Sequence, residues 1–168
     1  MSDIDNSQDL LDSQDIIERI EELESEQDSY VEEYEEAKEE ADEQGEPTER
    51  LADAINALST FWDLPPEEID DAVAGFRNPA DEYNGDEELH QLKKLADQLE
   101  GYGDWEHGET LIRESYFVEY VEDLLKDCGD LPKDIPWYIV IDWEATARHI
   151  RMDYTEGNFD GVTYLMRC

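Results

Sequence analysis

Carboxylates are the chemistry this sequence supplies in quantity. Of its 168 residues, 49 are Asp or Glu against 12 Lys and Arg, a formal net charge of −37. The acids are densest from Asp9 to Glu46, DLLDSQDIIERIEELESEQDSYVEEYEEAKEEADEQGE, and residues 1–49 hold 21 of them against two cations, Arg19 and Lys38. A helix rises about 1.5 Å per residue, so this run sets roughly one negative charge per 3 Å of axis. Duplex DNA carries one per about 1.7 Å. Carboxylates at that density can engage the Lys and Arg of a protein built to bind phosphates. The residues in question are Glu21, Glu22, Glu24, Glu32, Glu33, Glu35, Glu36, Glu39, Glu40, Asp42 and Glu43, and acidity resumes at Glu67, Glu68, Asp70 and Asp71.

Other chemistries find little support. The sequence has no GxSxG, HExxH, GxxxxGK[ST] or GxGxxG, so it lacks the nucleophile elbow, the zincin pair and the phosphate-cradling loops. Its three histidines, His90, His107 and His149, are scattered; His107 lies near Asp104 and Glu106, half a metal site at most, and reads as a solvated loop residue. Asp81–Asp86 fails as an EF-hand loop, because Tyr83 stands at position 3 and Gly85 at position 5. With so many acids, carboxylate pairs at glycosidase spacing arise by density alone. The expectation is a non-catalytic protein with no cofactor and no metal site.

Charge also sorts partners. A chain this acidic repels nucleic acid and anionic membrane surfaces and attracts basic proteins. No stretch reaches the length of an apolar membrane span, the N-terminal residues lack the basic and apolar regions of a signal peptide, and two cysteines make no disulfide framework. A reducing host cytoplasm is the expected compartment.

The elements that must position the acids follow from periodicity. Ile16, Ile20, Leu23, Gln27, Tyr30, Tyr34, Ala37 and Ala41 recur at alternating spacings of four and three, a heptad seam interrupted by Gln27. The seam predicts one long helix ending at Gly45-Glu46-Pro47, rigid through packing on the following helices or on a second copy of itself. Thr48 can cap a second helix bearing Leu51, Ile55, Leu58, Phe61 and Trp62; Pro65-Pro66 opens a third with Ile69, Val73 and Phe76. After turn signals at Asn78-Pro79 and Asn84-Gly85, Asp86 can cap a fourth helix with Leu89, Leu92, Leu95 and Leu99. A fifth is expected over 109–128. Then come a β-rich run at Trp137–Ile141, a sixth helix capped by Asp142, and a hairpin turning at Asp160-Gly161. The fold class is mainly α with a small α+β C-terminal part, elongated. Its expected division is 1–46 acidic heptad helix, 47–103 helical segment and 104–168 α+β domain.

A Glu-rich heptad helix is most often a solvated coiled-coil strand. Two observations favour a functional surface instead. The flanks of the seam are almost purely acidic, EEYEEAKEEADE holding one cation, although like charges at i, i+4 destabilise a helix. The charge is also concentrated: residues 1–100 are net −28 and residues 101–168 net −9, whereas adaptation to high salt would acidify every exposed surface.

Residues 115–167 add a resemblance. SYFVEYVEDLLKDCGDLP, WYIVIDWEATARHIRMDY and NFDGVTYLMR resemble the ArdA antirestriction family of phages and mobile elements. The shared pattern is an acidic aromatic helix, a Pro loop, a Tyr-Ile-Asp-Tyr-like segment, an Ala/Gly-Arg-Asp-Leu-like helix and a hairpin. Here Ile141-Asp142-Trp143-Glu144 and Ala147-Arg148-His149-Ile150 occupy the two central places, with His149 where the family has Asp. The resemblance covers about a third of the chain and implies an acidic dimer that mimics bent DNA and occupies the DNA site of type I restriction–modification enzymes. The chain departs from the family at its front, where ArdA proteins have a small β-containing domain.

The expectation is therefore a DNA-mimicking inhibitor of a host anti-phage nuclease complex, type I restriction–modification or CRISPR-type. It would act as a homodimer without binding nucleic acid or membrane. Ile16, Ile20, Leu23, Tyr30 and Tyr34 would form a dimer or packing seam, with Arg148 and Arg151 available for a dimer contact. Two alternatives stay open: an acidic coiled-coil dimer that binds or chaperones a basic histone-like or assembly protein, and an acidic enzyme adapted to salt.

Overall fold

A computed structural model of the chain describes residues 4–78, 86–129, 131 and 134–168. The architecture is mainly helical with one small antiparallel sheet. In place of three consecutive segments the chain forms two compact units, residues 1–17 with 94–168, and 18–93. The N-terminal residues fall in the same unit as the C-terminal ones because Leu10–Asp12 pairs with Thr110–Ile112. The turn signals at Pro79 and Asn84-Gly85, and the candidate calcium loop apart from Asp86, lie outside the described residues.

The first unit is built on four strands: β1 (Leu10–Asp12), β2 (Thr110–Arg113), β3 (Tyr154–Phe159) and β4 (Val162–Arg167), ordered β1-β2-β4-β3 and antiparallel throughout. Leu10 pairs with Ile112, Ile112 with Leu165, and Gly157 with Tyr164. The β3–β4 turn is the one expected: Asp160 and Gly161 have φ of 45° and 79°, both left-handed, as a two-residue I′ turn requires. On one face Ile112 and Leu165 pack with Phe117 and Val121 of α5 (Phe117–Asp127) and Ala147 of α6 (Trp143–Ile150). Asp142 caps α6 through a 2.9 Å bond from the Ala145 N–H.

Two expectations about this unit are corrected. Residues 110–113 are a strand, and the fifth helix starts only at Phe117. Leu111 and Ile112 are both buried, as adjacent residues are when a strand is covered on two faces, and apolar runs of that length do not distinguish strand from helix. Trp137–Ile141 forms no strand; Pro136 to Ile139 is a turn, closed by a 2.9 Å bond from the Ile139 N–H to the Pro136 carbonyl.

The second unit is helical. It holds most of α1 (Ser13–Gln44), then α2 (Glu49–Phe61), α3 (Ile69–Phe76) and the first half of α4 (Glu87–Leu99). Gly45, at φ 74°, ends α1 by sending its N–H to the Ala41 carbonyl. The Thr48 hydroxyl accepts from Leu51 N–H and starts α2, and the Asp86 carboxylate accepts from Leu89 N–H at the start of α4. A 3₁₀ turn at Pro66–Glu68 leads into α3. The core joins Val31, Tyr34 and Ala37 of α1 to Ala54, Leu58 and Trp62 and to Ile69, Ala72 and Val73.

Candidate carboxylate surface

The stripe that fixes α1 decides which acids face outward. Ile16, Leu23, Tyr34, Ala37 and Ala41 are buried where the seam was expected, but Val31 replaces Tyr30, which is 38% exposed and leans on Phe61 with ring centroids 5.0 Å apart. Ile20 is only half-buried. Residues 30 and 31, three and four after Gln27, flank the stripe on opposite sides, and Val31 is the one that packs into the core of the helical unit. Gln27, the interruption, is 4% exposed and accepts a 3.0 Å bond from the Trp62 indole N–H. A polar residue in the seam is thus a specific lock on α2. In the second unit the seam is filled by the chain's own helices, so of its two expected uses the structure shows the internal one.

Opposite this stripe lies a row of exposed acids, Glu18, Glu21, Asp28, Glu32, Glu39 and Glu43, at spacings that return to the same face of the helix. From Glu21 to Glu43 the row spans roughly 33 Å at about 1.5 Å per residue. On the flanks the acids are not left alone. The Arg19 guanidinium binds Glu22 at 2.7 Å and grips Glu88 through two 2.9 Å bonds. Lys93 meets Glu24 at 2.6 Å. Arg50 binds Glu33 and Glu36 at 2.8 Å and Glu40 at 3.4 Å, Arg77 binds Glu35 at 2.9 Å, and Lys38 pairs with Asp70. Charge that looked uncompensated along the helix is compensated in three dimensions, by cations from α2, α4 and the end of α3. Apart from Arg19–Glu22, local sequence spacing could not show this, because the partners are 10 to 69 residues away.

The predicted residues therefore divide. Glu22, Glu24, Glu33, Glu35, Glu36, Glu40 and Asp70 are paired within the fold. Glu21, Glu32, Glu39, Asp42, Glu43, Glu67, Glu68 and Asp71 are exposed, and have no cation at ion-pair distance among the described residues. Glu67, Glu68 and Asp71 sit in the 3₁₀ turn and first turn of α3, where acids favour the positive end of a helix. An open depression along α1 is lined by Glu32, Glu35, Glu36, Lys38, Glu39 and Asp42.

Ionisation follows the pairing. Hydrogen bonds from Lys38 and then Tyr34 hold the Asp70 carboxyl below its usual range, and Arg50 does the same to Glu33. Burial, aided by the hydrogen bond to Asp70, pushes the Tyr34 phenol up to about 12. At neutral pH these groups form a fixed array of anions and locked partners. Among the described residues no three or more His, Cys, Asp and Glu are arranged to hold a metal ion, and no helix is long and apolar enough to cross a membrane.

No known protein family, curated protein or solved structure matches the chain. The site stands on its own geometry.

Proposed function

We propose that this chain is a DNA-mimicking protein inhibitor of a host anti-phage defence nuclease. The first target to test is a type I restriction–modification complex, in the cytoplasm of the infected host. The observation that carries the reading is the outward row on α1: Glu21, Glu32, Glu39 and Glu43, with no cation at ion-pair distance among the described residues and held on a helix whose opposite face is buried. Successive members of the full row, Glu18, Glu21, Asp28, Glu32, Glu39 and Glu43, are three to seven residues apart and rise roughly 4.5–10.5 Å along the axis, against about 3.4 Å per phosphate of one DNA strand. Proteins that clamp DNA draw much of their affinity from neutralising phosphates with Lys and Arg, and fixed carboxylates can meet the same cations. Fixity matters because a flexible acidic tail loses ordering entropy on binding. The choice of restriction enzymes as first target comes from the resemblance of residues 115–167 to ArdA proteins. The packing of Val31, Tyr34 and Ala37 against α2 and α3 supports an internal use of the seam over a coiled-coil dimer.

The test is protection of unmodified plasmid DNA from a purified type I restriction complex, with a CRISPR-type nuclease as the parallel arm. Wild-type protein should protect against one of the two, and raising salt to 0.5 M should abolish binding to it. Reversing Glu21, Glu32, Glu39 and Glu43 to Lys should remove protection, while neutralising the internally paired Glu33 and Glu36 to Gln should reduce it far less. Protection undiminished by the fourfold reversal would sink the proposal.

A further inference from the structure

A groove of about 580 Å³ runs along the helical unit between α1, α2 and the start of α4, and none of the outward row of acids lines it. Its size falls in the range of ligand sites, about 300–1,000 Å³. Arg19, Leu23, Glu26 and Tyr30 border it from α1, spaced four, three and four apart and so set on one strip of the helix. Leu23 and Ala57 give it an aliphatic wall, and Phe61 lies against Tyr30 with ring centroids 5.0 Å apart and planes at 41°. Among the described residues of the helical unit Tyr30 is the one large hydrophobic left exposed. Val31 holds the place in the core, so packing within the unit gives Tyr30 only an edge contact.

The charges around the aromatic pair do not balance. Asp86 and Glu88 border the groove, and Glu26 stands one turn before Tyr30 on the same strip of α1. The groove's own cation, Arg19, is held by Glu22 and Glu88. Glu26 is exposed and has no cation at ion-pair distance among the described residues. An occupant must therefore bring positive charge to Glu26 and flat or apolar surface to Tyr30 and Phe61. Arginine brings both. Its guanidinium is planar and weakly hydrated, stacks on aromatic faces, and takes a carboxylate through two parallel bonds. A lysine ammonium is a strongly hydrated point charge and exchanges water for a half-apolar groove less readily. An uncharged side chain would cover Glu26 and leave it unpaired.

We propose that this groove is an anchor site for an arginine side chain of the partner protein, stacked on Tyr30 and Phe61 and paired with Glu26. That the partner presents a basic surface rests on the function proposed above. The groove and the outward row then do different work. Carboxylates standing in for phosphates attract Lys and Arg alike and act at a distance, whereas the aromatic pair tells the two cations apart and acts only on contact. The groove thus supplies the choice of which basic surface is held.

The experiment is fluorescence anisotropy, with the full chain titrated into two labelled peptides of equal length and charge, Arg alternating with Gly in one and Lys with Gly in the other. The Arg peptide should bind about ten-fold tighter, the factor that a partly desolvated cation–π contact supplies. Tyr30→Ala should bring the Arg peptide down to the affinity of the Lys peptide and leave the Lys peptide as it was. Tyr30→Phe keeps the ring and should keep the preference, and circular dichroism checks that each variant is folded. Glu26→Gln should weaken the Arg peptide more than the Lys peptide, while Glu21→Gln, in the outward row, should weaken both equally. No binding of the Arg peptide, equal affinities of the wild type for the two peptides, or a preference that survives Tyr30→Ala would overturn the proposal. Failure of the function proposed above reads differently: the chain would prefer the Arg peptide and yet leave DNA unprotected from either nuclease.

Discussion

Arg19 is the cation that most directly holds the acidic helix in place, and its removal tests whether the row on α1 is rigid for the stated reason. Its side chain is 25% exposed and Glu88 is 34% exposed, and two parallel 2.9 Å bonds join them. The bond to Glu88, reinforced by Glu22, raises the guanidinium pKa further, so Arg19 stays charged at any working pH. Exposed ion pairs contribute about 0.2–1 kcal/mol, and breaking a buried one costs about 3–5 kcal/mol. A partly buried bidentate pair falls between, so Arg19→Met should cost about 1.5 kcal/mol, discounted for its remaining exposure. For a chain of this length that is a fall in Tm of roughly 3–6 °C. The assay is a double-mutant cycle with Glu88→Gln, read by urea unfolding at low and high salt. The coupling should be about 1 kcal/mol at 0.1 M salt and persist in large part at 1 M, since partly buried pairs are screened less. The same cycle on the more exposed Lys93–Glu24 pair, 40% and 46% exposed, should give less and lose it in salt. Equal couplings for the two pairs, or none for Arg19–Glu88, would refute the view that α1 is clamped by this contact.

Two further outcomes bear on the fold. At Gly157 an added Cβ would meet Leu99 Cδ1 at 2.8 Å, Leu95 Cδ1 at 2.9 Å and Leu99 Cγ at 2.9 Å; Gly157→Ala should cost about 1–3 kcal/mol through overpacking, seen as a lower urea midpoint. Tyr34 and Tyr154 have phenols raised to about 12, each chiefly by burial. A folded pKa above the unfolded value near 10 stabilises fully below pH 10 and is lost as pH rises through 12. The protein should therefore lose stability between pH 10 and 12, with tyrosinate absorbance appearing alongside unfolding, and Tyr34→Phe should shrink that loss.

What the sequence disclosed, it disclosed through local signals. The caps at Thr48, Asp86 and Asp142, the Gly45 stop and the Asp160-Gly161 turn all rest on residues within a few positions of one another. The buried stripe of α1 was legible too, apart from the shift from Tyr30 to Val31. What stayed hidden depends on distant partners. Leu10–Asp12 is a strand only because Thr110–Ile112 lies beside it; nothing in DLLDSQ distinguishes it from the first turn of the helix that follows. Trp137–Ile141 has strong β propensity and no strand to pair with, so propensity misleads there. Of the candidate site, the acids were plain and their pairing was not, since Arg50, Arg77 and Lys93 each reach α1 from another helix or its end. The exposed turn at Trp137 could have been suspected from Pro136 and the loop residues ahead of it.

The strand order β1-β2-β4-β3 has a consequence for how the chain comes to be folded. Leu10 pairs with Ile112, and every residue of the helical unit lies between them in sequence. The helical unit is closed by contacts within a continuous stretch, so it is complete as soon as residue 93 has been synthesised. The sheet must wait for β4, at Val162–Arg167, to separate β2 from β3. Closing β1 onto β2 joins the ends of a loop whose entropic cost grows only with the logarithm of its length, and an intervening unit already folded shortens the effective loop further. Synthesis from the N-terminus thus sets an order in which the charged helical unit forms first, and the first strand stays unpaired until the rest of its sheet arrives.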